Sequence, residues 1–286
     1  MISNTFLGSP AEMGRAQGLV DSDAALVHLN HLLDQPHNFG SRYFRENLAF
    51  TRREFPDLMD QIQAFGEAAG MESLEHAFYS HIYHTGDETG DCSAFGLLLE
   101  DDGPAILTTN DTASVRATSK TESTTVSLFP DAKPHGFMGV NNLIGVVVGR
   151  SVNDAGLIIG AASGHRRFNP VNNPECLNLY FIVHLLAQHC GDCQEVRKFV
   201  EQYRLSGIKG HNLVAVDALG NILGIETKTR GLFLCSPKGI FGPNCKATYC
   251  PKARGNRCCG VFLKPRTRGK STRRGRWISS RCRTDS

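Results

Sequence analysis

Gly90-Asp91-Cys92-Ser93-Ala94-Phe95-Gly96-Leu97-Leu98-Leu99, then Glu100-Asp101-Asp102-Gly103-Pro104, then Ala105-Ile106-Leu107-Thr108-Thr109-Asn110-Asp111 reads as one unit. Two apolar runs flank an Asp-Asp-Gly turn, which is a hairpin signal. With the turn centred between Asp101 and Asp102, cross-strand partners sum to 203 and Cys92 faces Asp111. Local pairing alone then brings a thiol and a carboxylate together at the open end of the hairpin. A one-residue bulge would shift that pairing.

Working outward, the chain before this hairpin reads helical from Ala11 to about His84. Phe44 to Ala69 carries Leu48, Phe55, Leu58, Met59, Ile62 and Phe65 at helical spacing among charges, and Gly70 fits a C-cap. A second helix is expected over Leu74–Tyr83. After the hairpin, strands are expected at Thr124–Phe129, Gly145–Arg150 and Leu157–Ala161, the last two joined by Asn153-Asp154-Ala155-Gly156. Leu177–His189 reads as an apolar helix. Asp192 caps the next one, with Glu195 three residues on as a capping box, and that helix runs to about Tyr203. Asn212–Asp217 and Asn221–Thr227 form a further hairpin around Ala218-Leu219-Gly220. Hairpins segregated from helices argue for an α+β fold rather than a doubly wound sheet.

The net charge of +3 hides a division within the 286 residues. Residues 1–234 hold 17 Lys+Arg against 27 Asp+Glu, whereas residues 235–286 hold 14 against 1. The basic end also carries six of the ten cysteines (Cys235, Cys245, Cys250, Cys258, Cys259 and Cys282) and the single tryptophan, Trp277. Residues 266–283 are polybasic and rich in Ser, Thr and Gly without periodicity, the composition of a disordered segment. No apolar stretch reaches membrane-spanning length, and Met1-Ile2-Ser3-Asn4 does not open a secretory signal. The expectation is a cytoplasmic protein with reduced thiols, no membrane association and no specific nucleic-acid partner.

Several segments of residues 1–230 carry a family likeness: Phe6-Leu7-Gly8-Ser9-Pro10 with Gly14 and Gly18; Phe55-Pro56-Asp57-Leu58 followed by Gly66-Glu67-Ala68-Ala69-Gly70-Met71; Cys92-Ser93-Ala94-Phe95; Asn153-Asp154-Ala155-Gly156-Leu157; and the run from His211 to Asn221. In their order and spacing they resemble the acyltransferases related to acyl-coenzyme A:6-aminopenicillanic acid acyltransferase, within the N-terminal-nucleophile hydrolases. The resemblance implies a four-layer αββα sandwich, incomplete at the C-terminus. It also implies a precursor that cleaves itself between Asp91 and Cys92. The 1–91 segment would then be lost or kept as a small subunit, and 92–234 would form the catalytic region. The freed Cys92 would be the nucleophile and its own α-amine the base, since an α-amine titrates near working pH. Asp111 falls where the family places an orienting aspartate. The substrate would be a small linear acyl amide or an acyl-coenzyme A thioester, with no metal or organic cofactor required.

Two departures from the family pattern bear on this. Related amidases carry an arginine where this chain has Thr108. The family's oxyanion asparagine is expected soon after the last matched hairpin, where this chain reads Leu232-Phe233-Leu234-Cys235-Ser236-Pro237-Lys238. Loss of one oxyanion donor costs about 10²–10³ in rate. The 235–286 tail is therefore expected to be disordered or aberrant, the product of a truncated or frame-shifted C-terminus. A catalytically inactive relative is one alternative reading, and a basic-tailed binding protein is another.

Further candidates weigh less. Asn110 and Asn212 are possible site residues, the second also fitting a structural role at a strand start. His165, with Arg166 and Arg167, fits either an anion-binding or an exposed basic loop. Cys190-Gly191-Asp192-Cys193 has redox or zinc spacing, but its Gly and Asp are already used between two helices, so structure is the favoured reading. His76, His81 and His84 are unevenly spaced for a metal site.

Overall fold

The computed structural model describes residues 2–34, 39–82, 93–99, 103–109, 125–141, 145–167, 176–203, 205–206, 209–228, 231–236, 239–241, 248–249 and 259–263. The strand β1 (Ile2–Thr5) leads into α1 (Pro10–Leu33). Ser9 caps α1 in a reciprocal box: its hydroxyl accepts from Glu12 N–H, and the Glu12 carboxylate accepts from Ser9 N–H at 2.7 Å. The single helix expected over Phe44–Ala69 is instead two, α2 (Arg42–Glu54) and α3 (Pro56–Ala68). Pro56 is the cause, because proline bars a helical conformation at the residue before it, and Phe55 turns to φ −134° and ψ 64°. The fourth helix, α4 (Leu74–Ile82), follows. α1 lies close along α3, since a Cβ on Gly14 or Gly18 would strike the carbonyl oxygen of Gln61 or Phe65.

The predicted hairpin forms from β2 (Ser93–Leu99) and β3 (Gly103–Thr109). Next come β4 (Thr125–Phe129), β5 (Phe137–Asn141), β6 (Arg150–Asn153) and β7 (Ile158–Arg167). The strand expected over Gly145–Arg150 is displaced: β6 begins only at Arg150, and Val146, Val147 and Val148 form a buried non-strand segment. The turn Asn153–Gly156 joins β6 to β7 as expected, with Gly156 N–H donating to Asn153 O at 3.0 Å. β7 continues through Arg167, so the backbone of His165-Arg166-Arg167 is strand and not loop.

The helix expected over Leu177–His189 starts late. Leu177–Asn178 is a short strand, β8, followed by a single 3₁₀ turn over Leu179–Phe181 and then α5 (Ile182–His189). The Asn178 carboxamide accepts from Tyr180 N–H at 2.9 Å, favouring the turn over a continuous helix. α6 (Cys193–Gln202) is capped by Asp192, which accepts from Gln194 and Glu195 N–H, both at 2.8 Å. The chain continues as β9 (Leu205–Ser206), β10 (Lys209–Val216), β11 (Ile222–Lys228), β12 (Gly231–Ser236), β13 (Gly239–Phe241), β14 (Thr248–Tyr249) and β15 (Cys259–Leu263). The sequence boundary at 234/235 thus falls inside β12, and the basic end supplies β13, β14 and β15.

Among the described residues, nine strands form one sheet in the order β1-β4-β5-β6-β7-β10-β11-β12-β13, and four form a second in the order β14-β15-β2-β3. The pairings are antiparallel except β1 with β4 and β8 with β9. The result is a mixed α and β fold. Period-2 alternation assigns the faces of the large sheet. Ile159, Leu213, Ala215, Leu223 and Ile225 join the helical core, while Ala162, Val214, Val216 and Ile222 pack with Ala94, Leu98 and Ile106 of the small sheet. Helices, large sheet and small sheet are therefore stacked in that order.

Candidate active site

The β2–β3 hairpin has a register one residue different from that expected. Ser93 pairs with Thr109, Ala94 with Thr108 and Leu99 with Gly103, so partners sum to 202 and not 203. Gly103 accounts for the shift: at φ +77° it takes the left-handed conformation that closes a three-residue loop. Asp91, Cys92, Asn110 and Asp111 themselves lie outside the described residues.

The small sheet crosses the large one in close contact. A Cβ on Gly96 would sit 2.8 Å from Val214 Cγ1 and from Val216 Cγ2, and one on Gly220 would meet both Leu98 methyls at 3.2 Å. Ala94, further back along β2, packs in the cluster that holds Ala162 and Val214. Descending β2 from Leu98 to Ala94 therefore means travelling from the Gly220 end of the β10–β11 hairpin toward the Ala162 end. Asn212 pairs with Ala162 at that end, shares the face of Val214, and is 5% exposed. The start of β2 and the side chain of Asn212 are thus directed to the same end of the inter-sheet space. His165 is described only in its backbone, in β7.

Arg150 is a residue of this region that the sequence reading did not single out. Its Nε–H donates to the Thr108 hydroxyl of β3, spanning from the large sheet to the small one. The face is set by β6: Asn153 donates to the Ala187 and Cys190 carbonyls of α5 at 2.9 and 2.6 Å, so Asn153 and the buried Ser151 point to the helices. Arg150, of opposite parity, points to β3. Only the late start of β6 could have revealed this, and the run Val146-Val147-Val148 conceals it.

On the helical side, Gly145 and Val146 are held by polar side chains. Gln17 donates to Gly145 O at 2.5 Å, and Val146 N–H donates to Nε2 of His81 at 3.1 Å. Nδ1 of His81 meets Ala77 O at 2.6 Å, which makes it the protonated nitrogen of a neutral ring. Burial pushes His81 down to about 4, even though the bond to Ala77 favours the charged form. His184 also bonds the Val146 backbone, and burial pushes it down to about 3. Burial raises Asp21, opposed by a hydrogen bond from the Gly145 backbone. With both nitrogens on backbone groups, His81 is not poised as a metal ligand, and His84 of the predicted trio lies outside the described residues.

Cys190 and Cys193 are buried, and burial first, then nearby carboxylates (Glu195 for Cys190, Asp217 for Cys193), pushes both thiols up to about 12. Cys193 Sγ donates to Asn221 O at 3.2 Å. Burial tends to raise the neighbouring Asp217, but hydrogen bonds from Asn221 and from the backbone of Cys193 and Leu219 outweigh it and hold the carboxyl below the usual range. The pair ties α6 to the β10–β11 turn and offers no thiolate for redox chemistry.

No family model matches this chain, and no curated protein does. Solved structures similar to it include penicillin V acylase from Agrobacterium tumefaciens (TM-score 0.32, 11% identity, covering 54% of this chain and 44% of that one). Two forms of conjugated bile acid hydrolase from Clostridium perfringens are also similar. One is a variant (TM-score 0.33, 10% identity, 65% and 59% coverage), the other a cysteine-to-alanine mutant (TM-score 0.33, 9% identity, 62% and 56% coverage). The likeness spans 44% to 59% of the length of those proteins.

Proposed function

We propose that the chain is a self-processing cysteine amidohydrolase or acyltransferase of the N-terminal-nucleophile type, acting on linear amides or acyl thioesters through Cys92. The observation that carries this reading is the path of β2. Each two-residue step back from Leu98 moves along the buried face toward Asn212, and the next residue of that parity beyond Ala94 is Cys92. In this reading the Cys92 thiol works at the end of an apolar inter-sheet space toward which the buried Asn212 carboxamide is directed, and such a space suits acyl chemistry from which bulk water is excluded.

The steps balance without a cofactor. The Cys92 thiol attacks the Asp91 carbonyl, and the Asp91–Cys92 peptide bond breaks as the acyl group moves to sulfur. Water hydrolyses that thioester, leaving the Asp91 carboxylate and a free α-amine on Cys92. The amine then takes the thiol proton when sulfur attacks the substrate carbonyl, and passes it to the leaving group. Water or a second nucleophile releases the acyl group. Asp111 serves to orient the amine, and the inter-sheet cluster is the wall for the acyl chain. The released 1–91 segment stays as a subunit, because its aromatic side chains are packed into the shared core: Phe78 lies 5.6 Å from Phe181, and Phe50 6.3 Å from Tyr203.

A second reading is an inactive relative, since β2 and β3 pair one residue out of the register that the sequence reading needed. One experiment separates the two. Intact mass of the denatured protein, beside Cys92→Ala, should give fragments 1–91 and 92–286 only in the wild type. A single uncut wild-type chain would replace the first reading with the second.

A further inference from the structure

We infer that the outward face of α1 is a self-association surface, which pairs with the same helix of a second copy of this chain across a two-fold axis at Leu19. Elsewhere in the helical layer the outward faces are polar. α6 exposes Gln194, Glu195, Lys198, Glu201 and Gln202, and α3 exposes Pro56, Asp57, Asp60, Gln63 and Glu67. Such helices bury one apolar face and hydrate the other. α1 differs. It buries Met13, Gly18, Ala25, Leu29 and Leu32 toward α3 and the core. Its opposite face nevertheless carries Leu19 at 65% exposure, Val20 at 57% and Val27 at 70%. A helix that is apolar on both sides is suited to burial on both.

The charges on this face select the occupant. Arg15 lies one turn before Leu19 and Asp23 one turn after it, each four residues and about 6 Å away along the axis, and all three are exposed. Neither Arg15 nor Asp23 has an ion-pair partner among the described residues. A two-fold axis through Leu19 makes the two helices antiparallel and carries the position four residues before Leu19 onto the position four residues after it. Leu19 then packs on the partner's Leu19, and Arg15 faces the partner's Asp23, twice. Ala16 meets the partner's Ser22, and small side chains there let the helix axes approach to about 8–10 Å. Other alignments bring like charges together. An axis moved one turn sets Asp23 or Arg15 against its own copy, and a parallel pair sets both at the height of their own copies, so repulsion selects the register. The same charges disfavour a membrane. The exposed arc holds Glu12, Asp23 and Asp34 against Arg15, a net negative charge that anionic lipid repels. A single pair of helices buries less than the roughly 1,200 Å² of a standard interface, so the dimer is weak, with a dissociation constant in the micromolar range.

The test is sedimentation velocity of the full chain at pH 7 from about 5 to about 500 µM, a span that crosses a micromolar dissociation constant. Wild type should move from the single-chain mass toward twice that mass. Arg15→Asp alone and Asp23→Arg alone should each weaken association by about tenfold or more, because each leaves like charges facing across the axis. An equimolar mixture of these two variants should recover the pair, since one copy then presents two acids and the other two bases. Leu19→Asp should abolish association. All three positions are exposed, so these variants should melt within a few degrees of wild type. Single-chain mass at every concentration would overturn the inference and leave the face to a different partner. So would a dimer that the single charge reversals do not weaken, or one that their mixture does not restore, since either places the contact elsewhere. Wild-type binding to phosphatidylcholine vesicles that is lost in Leu19→Asp and unchanged by the charge reversals would assign the face to lipid, and would overturn it as well.

Discussion

Val146 N–H donates to Nε2 of His81, and the same residue's backbone bonds His184, so one residue is gripped by two buried neutral imidazoles from α4 and α5. The grip depends on protonation. A proton added to His81 Nε2 would face the Val146 N–H donor across 3.1 Å, and Nδ1 of His184 has no partner among the described residues to receive one.

Stability should therefore fall in acid. Both histidines have folded values (about 4 and about 3) below the ordinary 6.5, so the unfolded chain binds protons first as pH drops. Stability is full above about 6.5 and declines as pH falls toward 4, by about 3 kcal/mol for His81 alone. Urea midpoints from pH 7.5 to 4.5 measure this. His184→Phe, placed among Phe129 and Phe137, should flatten the slope, and an unchanged slope would remove His184 from the account.

Gly145→Ala should destabilise by about 2–4 kcal/mol. Gly145 sits at φ +113°, and its new Cβ would run into Nε2 of His81. Thermal unfolding reads the loss. Gly96→Ala provides a contrast at an ordinary backbone angle: it overpacks the inter-sheet cluster by one methyl, at a cost of about 1–3 kcal/mol.

Asn212→Ala should lower amide turnover of the processed protein by about 10²–10³-fold, the range for loss of one polar stabiliser of a developing oxyanion. Melting temperature should shift little in comparison. Turnover equal to wild type would return Asn212 to a strand-start role.

Iodoacetamide at pH 8 should leave Cys190 and Cys193 unmodified in the native protein and label them only after denaturation, since both thiols are buried and protonated. Peptide mapping after brief exposure tests this. Native labelling of either would contradict the packing of Cys193 on Asn221.

The hairpins were legible because alternation and turn residues are local signals. Asn153–Gly156 and Ala218-Leu219-Gly220 turn where the sequence says, and β2 has the expected bounds. Failures arose where a single residue overrides a periodic pattern. Pro56 splits a helix whose apolar spacing runs straight through it. Gly103 adds a residue to a loop that the dipeptide signal reads as two, shifting the register by one. Val146-Val147-Val148 has the composition of a strand but is held out of the sheet by side chains distant in sequence, Gln17 and His81. Arg150 could not be found by inspection, because its significance lies in a contact with Thr108, 42 residues away.

The edge strand β1 pairs with β4 in parallel, through Ile2 to Thr5 beside Thr125 to Leu128. One sheet is thereby assembled from chain on both sides of the 91/92 bond. Once that bond is cut, unfolding yields two particles where there was one. The melting temperature of the processed protein should then rise with its concentration, as for any heterodimer, whereas that of Cys92→Ala should not. Dilution alone, with no denaturant, becomes a route to inactivation.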